Sequence, residues 1–312
     1  MRTFTTATAI AALLAATSAT LPALAQDDEM MTHEEMGQDE TMSHDGMMSD
    51  EDMMSDDDMM SHDMDDHDGM MSGDMDGQDG MMSDGMMHQD IEAAVADQSR
   101  PDEDRMLDVN RHPAEVLAFA GIEHGWRVAD LTAGSGYYTR VLSTAVGEEG
   151  HVYSHNPSWI ADRYPEPNAA LGAFADTREN TTHIVSPIED FADGIEAPLD
   201  AVMMVLFYHD TAWDETDRAA MNREIYDALR PGGAYLVIDH HAPEGSGLEH
   251  VNTTHRIDAA VVREEIEAAG FELEAESDML ANPDDPRDIS VFDDSIRRMT
   301  DRFVYRFRKP EM

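Results

Sequence analysis

The chain has no cysteine and a single lysine, Lys309, and between Gln26 and Asp90 it has no lysine, arginine or aromatic residue at all. Without cysteine there is neither a disulfide framework nor a lipid-anchored thiol, so folding depends on the core alone. The shortage of bases leaves 20 Lys and Arg against 67 Asp and Glu, a net charge of -47. A surface that acidic repels phosphate backbones, which excludes nucleic acid as partner or substrate. Beyond the first residues no stretch is apolar for long enough to span a membrane, which takes roughly 20 residues.

What the chain does have begins with MRTFTTATAIAALLAATSATLPALAQ. Arg2, an apolar run through Ile10, Leu13 and Leu14, and the small-x-small sequence Ala23-Leu24-Ala25 before Gln26 form a cleavable signal peptide pattern over 1–25. Thr17, Ser18 and Thr20 interrupt the run, against a membrane anchor. The expected location is periplasmic or secreted.

Residues 26–90 repeat a loose unit, as in MMSDDDMMSHDMDDHDGMM, with 18 methionines and 23 acids. Such a segment buries too little apolar surface to offset its ordering entropy, and its charges repel, so a disordered low-complexity tail is expected. Two readings of it stay open. One is a solvating, oxidisable spacer. The other is a metal-capturing tail, with thioethers for Cu(I) and His33, His44, His62, His67 and His88 for Cu(II) or other divalent ions.

From residue 91 to 312 the pattern becomes that of one domain of about 220 residues, enough for a large core. Helices are expected over Ile91–Ala96, Pro113–Ala120, after Gly136, over Asp217–Leu229 and over Ala259–Ala269. Strands are expected at Trp126–Leu131, HVYSHNP, His183–Val185, Ala201–Tyr208, Ala234–Asp239 and Phe303–Phe307, with Pro231-Gly-Gly as a turn. Apolar strands interleaved with helices define an α/β fold with a mostly parallel sheet covered on both faces. Such sheets bind ligands at the C-terminal ends of their strands, which points to the loops after Asp130, Asn156, Tyr208 and Asp239.

DLTAGSGYYTR, Asp130 to Arg140, is an acid at a strand end, a glycine loop and a helix start. Glycine lets backbone approach a ligand, and a helix N-terminus favours an anionic group. A dinucleotide GxGxxG would need a third glycine at Thr139. This loop, HVYSHNP, AVMMVLFYHD, ALRPGGAYLVIDHHAPEGSG, HRID and EAAGF together resemble class I S-adenosylmethionine-dependent methyltransferases over Pro113 to Pro310. More narrowly, GYYTR, YHD, IDHHA, HRID and DRFVYRFRKP resemble a group of exported bacterial predicted methyltransferases. The resemblance implies a Rossmann-like, doubly wound sheet of seven strands, S-adenosylmethionine as cofactor and a small-molecule methyl acceptor. It also implies that Asp130, Ala133, Gly134 and Gly136 hold the methionine portion, Asn156 faces the ribose, and Ile188 and Glu189 face the adenine. Asn156 stands where the family has Asp or Glu, and it lacks the charge-assisted bidentate acceptance of a carboxylate.

Methyl transfer asks the enzyme to position a nucleophile and sometimes to remove its proton. The loop beside the methyl group in that family reads Tyr208-His209-Asp210 here. His209 is the expected general base with Asp210 orienting it, and Tyr208 and His240 are expected at the same edge. Asp239, His241, His255, Arg256 and Asp258 leave neighbouring loops. These histidines and acids are also ligand types for Zn, Mn or Fe, but no spacing such as HxxxH marks a metal site, and none is assigned. The alternative function is an exported binding protein that keeps the fold, with a copper-capturing tail.

Overall fold

The structure, a computed structural model, describes residues 89–311 apart from 196 and 215. The signal-peptide and tail expectations lie outside the described residues except at 89 and 90. Seven strands form one sheet: β1 (Arg127–Leu131), β2 (His151–Pro157), β3 (Thr181–Ser186), β4 (Leu199–Val205), β5 (Leu229–His240), β6 (Glu272–Ser277) and β7 (Arg302–Arg308). Their order is β3-β2-β1-β4-β5-β7-β6. The pairs among β1 to β5 are parallel, and β7 is inserted antiparallel between β5 and β6. This is the doubly wound, Rossmann-like arrangement, and the chain reverses direction across the sheet between β1 and β4.

Ten described α-helices flank the sheet: α1 (residues 89–95), α2 (Asp102–Arg111), α3 (Pro113–Ala120), α4 (Tyr137–Ala145), α5 (Ser158–Arg163), α6 (Pro165–Ala175), α7 (Tyr208–Trp213), α8 (Arg218–Ala228), α9 (Val251–Thr254) and α10 (Ala259–Ala268), and a 3-10 helix covers Ile188–Gly194. Alternation along the strands sends side chains to two separate cores. Val128, Met203 and Leu236 pack with Val116, Leu117, Val141 and Leu142 on one face. Leu131, Met204 and Val237 pack with Ile225, Val262 and Phe271 on the other. Asp217 and Asp258 cap α8 and α10, each accepting a main-chain N–H at 3.0 Å, from Ala220 and Ala260. No described helix is long and apolar enough to cross a membrane.

Two expectations are corrected by the backbone. The apolar run Ala201–Tyr208 is not one strand: β4 ends at Val205, because Leu206 takes φ +57° and donates its N–H to Ile238 O at 2.8 Å. A bulky residue in that region is strained, and the bend starts α7 at Tyr208, which swings His209 and Asp210 over the end of β5. Likewise Pro231-Gly-Gly lies inside β5, where a register shift between Leu199 and Ala201 of the paired strand accommodates it.

Candidate functional site

Register brings Asp130 level with Ser154 and Met203, and Val205 level with Ile238. The glycine loop and the end of β5 therefore open onto the same edge, on either side of the point where strand order reverses. In the loop, Thr132, Gly134 and Gly136 take φ of +64°, +59° and +94°. A β-branched residue at positive φ is a genuine outlier, and strain of this kind clusters at ligand sites. Asp130 is buried and accepts from Thr139 Oγ1 at 2.5 Å.

The loop is largely satisfied from within. Ala133 N–H donates to His155 O, Gly136 N–H to Ala133 O, and Gly134 N–H to Asn156 Oδ1, each at 2.8 Å. Asn156 Nδ2 donates to Gly134 O at 2.9 Å and to Asn168 Oδ1 at 3.0 Å. His183 Nε2 lies 2.9 Å from the same Asn168 oxygen. The Asn156 amide thus steadies the loop. A Cβ on Gly136 would meet Leu171 Cδ1 at 2.6 Å, so this glycine admits a side chain of α6 as well as facing the loop. Ile188 is buried in the core with Phe191, and Glu189 is half-buried beside it, both at the C-terminal end of β3.

Tyr137 and Tyr138 pack edge to face at 4.9 Å. Tyr137 is held between the guanidinium groups of Arg100 and Arg111, 5.4 and 4.5 Å from its ring centre, and its hydroxyl donates to Asp108 at 2.6 Å. Arg140 pairs with Asp104 at 2.9 Å. These contacts fasten α2 over the start of α4.

At the ends of β4 and β5 the carboxylate of Asp239 is the organising group. It accepts the main-chain N–H of His209 (2.8 Å) and of His240 (2.7 Å), and its Oδ1 lies 2.8 Å from His209 Nδ1. An acceptor-only partner keeps a proton on Nδ1 of His209. Nε2 then faces Asp210 Oδ1 at 3.5 Å, and His255 Nδ1 lies 3.7 Å from the same oxygen. The rings of His240 and His255 stand 5.6 and 5.7 Å from that of His209. His240 Nδ1 lies 2.7 Å from Thr300 Oγ1, and burial, reinforced by His209 and Arg302, holds its pKa well below the usual histidine range.

Of the expected residues, the structure gathers His209, Asp210, His240 and His255, the last at φ +54° after α9 with its ring against Phe292. It does not bring Tyr208 to them. That hydroxyl accepts from Asn222 Nδ2 (2.7 Å) and lies 2.9 Å from Glu265, which Arg218 grips with two bonds of 2.8 Å. Tyr208 is buried between α8 and α10, and its placement there is structural. Sequence reading did not identify the bracket around the site: fully buried Arg256 pairs with Asp285 at 2.9 Å and donates to His241 O and Ile289 O. This ties the 278–301 loop, with Phe292 and Thr300, to the end of β5. Only the acid and arginine themselves were visible in the sequence, with nothing to pair them.

No family model matches the chain, and no curated protein matches it by sequence. Among solved structures it is similar to a SAM-dependent methyltransferase from Aquifex aeolicus, at 17% identity over 71% of this chain and 98% of that one, with a TM-score of 0.46. A Mesorhizobium loti S-adenosylmethionine-dependent methyltransferase aligns at 16% identity, 65% and 99% coverage and TM-score 0.45. Aeropyrum pernix fibrillarin with natively bound S-adenosyl-L-methionine aligns at 17% identity, 62% and 73% coverage and TM-score 0.42. Strand order and register, rather than these likenesses, define the fold.

Proposed function

We propose that the protein is an exported, periplasmic or secreted, S-adenosylmethionine-dependent methyltransferase acting on a small molecule. The observation that carries this reading is the meeting, at one sheet edge, of a strained glycine loop after β1 with the His209–Asp239 pair after β4 and β5. Doubly wound sheets bind ligands at this position, and the motifs quoted above support the family. The cofactor supplies an activated methyl group. Asp130, Ala133, Gly134 and Gly136 would hold its methionine portion, with Ile188 and Glu189 at the adenine. What fits at the loop is its backbone, with positive φ at Thr132, Gly134 and Gly136, while the Ala133, Gly134 and Gly136 N–H groups bond within the protein and at the ribose position Asn156 is engaged with Gly134 and Asn168. The ribose would therefore lack a carboxylate partner at this position, and affinity would rest on the other two portions.

On the acceptor side, His209 Nε2 takes the proton that the nucleophile loses, and Asp239 stabilises the resulting imidazolium through Nδ1–H. General-base assistance of this kind contributes on the order of 10²–10⁴-fold. Isothermal calorimetry with S-adenosylhomocysteine on the mature chain tests the reading: saturable binding with one ligand per domain supports it. Absence of both heat and thermal stabilisation at millimolar ligand withdraws it.

A further inference from the structure

We propose that His209, Asp210 and His255 bind a divalent transition-metal ion of the zinc, iron or manganese kind. One nitrogen of each histidine and one oxygen of Asp210 all lie within 4.8 Å of one another. The Asp210 side chain is 9% exposed, and its Oδ1 is buried with no hydrogen-bond partner. A buried carboxylate oxygen in that state needs a compensating positive charge. The 3.5 and 3.7 Å separations from the two imidazole nitrogens exceed the roughly 2.7–2.9 Å of a charge-assisted hydrogen bond. They suit ligands about 2.0–2.2 Å from a shared ion at near-tetrahedral angles.

The surroundings match what a metal-binding histidine requires. Asp239 accepts from His209 Nδ1, which fixes the ring and directs the Nε2 lone pair inward, the carboxylate–histidine arrangement that raises ligand basicity. Phe292 packs on His255 at 5.2 Å. Two imidazoles and one carboxylate leave a coordination position open, as catalytic sites do and structural sites do not. If the methyltransferase reading holds, that position would take the acceptor's oxygen or nitrogen and lower its pKa, so that its proton would pass to solvent water rather than to His209, whose Nε2 would be engaged by the ion. Metal binding itself does not depend on that reading.

The test uses the full mature chain, so that the methionine- and histidine-rich segment is present in every sample and cancels in the difference. After chelation and dialysis, Zn2+ equivalents are counted by titration and elemental analysis for the parent, His255→Ala and Asp210→Asn, and Co2+ spectra are recorded. Melting temperatures establish that each variant is folded. The expected result is one Zn2+ equivalent fewer in each folded variant and loss of the parent's intense visible Co2+ bands. Equal Zn2+ counts and unchanged Co2+ spectra in either folded variant overturn the site. S-adenosylhomocysteine titrations run in parallel separate the two readings: no binding to the parent defeats the methyltransferase proposal and leaves the metal difference standing.

Discussion

His209 and Asp239 are joined twice, by main-chain N–H to Oδ2 and by imidazole Nδ1 to Oδ1, both at 2.8 Å. The double link fixes helix α7 to the end of β5 and the imidazole to one tautomer with the same carboxylate. Since His240 N–H is a third donor, Asp239→Asn turns an NH2 group toward at least one N–H. Turnover is expected to fall on the order of 10²-fold or more, and Zn2+ affinity by about 10–100-fold. Kinetics and zinc titration on the folded variant measure both, and unchanged turnover would remove His209 from the chemistry.

Tyr208→Phe separates the structural role of this residue from the chemistry of its neighbour. The variant leaves Asn222 Nδ2 buried without its acceptor, at a cost of about 1–3 kcal/mol. Urea denaturation should show that loss while activity per folded molecule stays the same. A turnover defect without a stability defect would return Tyr208 to the catalytic edge.

The sheet was legible where apolar period and local chemistry agree. The Pro113–Ala120 helix and the HVYSHNP strand fall where the sequence places them. Once β4 and β5 are neighbours, His209 and Asp239 must end close together. Helix α2 was not legible, because DEDRMLDVNR has no apolar stripe; it is held instead by Arg100–Asp108 and Arg140–Asp104 ion pairs from distant segments. Pro165 occupies the first turn of α6, where its missing N–H costs nothing. His255 joins the site only through the fold of the 241–258 segment, so no spacing rule could place it beside Asp210. Thr132 and Leu206 carry positive φ that propensity argues against, and both sit at the functional edge.

Asn156 tests whether the second strand serves the loop or the ribose. In Asn156→Asp one carboxylate oxygen still accepts from Gly134 N–H, but the other faces Gly134 O and Asn168 Oδ1, now 2.9 and 3.0 Å from a donor. The variant should lose about 1–3 kcal/mol of stability and bind S-adenosylhomocysteine more weakly. Thermal melts with parallel calorimetry check both effects. Tighter binding would mean that the carboxylate has found the ribose hydroxyls and that the loop does not need the amide.

His155 predicts a pH dependence separate from that of the histidines after β4 and β5. Its ring is fully buried, with Nε2 3.2 Å from Ser186 O and Nδ1 without a hydrogen-bond partner. Nε2–H donates to that carbonyl, so a second proton would have to go on Nδ1, where nothing accepts it. Burial accordingly pushes the pKa down from 6.5 to about 4, only partly opposed by the Ser186 bond. The unfolded chain therefore binds more protons than the folded one between these values, and stability falls as pH drops through that window. The contribution is complete above pH 6.5, declines by about 1.4 kcal/mol per unit and levels off below pH 4 after a loss of about 3 kcal/mol. In His155→Gln the amide cannot titrate, so unfolding free energy measured by denaturant at pH 7, 5.5 and 4 should fall less steeply than in the parent. Parallel pH profiles for the two proteins would show that His155 titrates normally in the folded state.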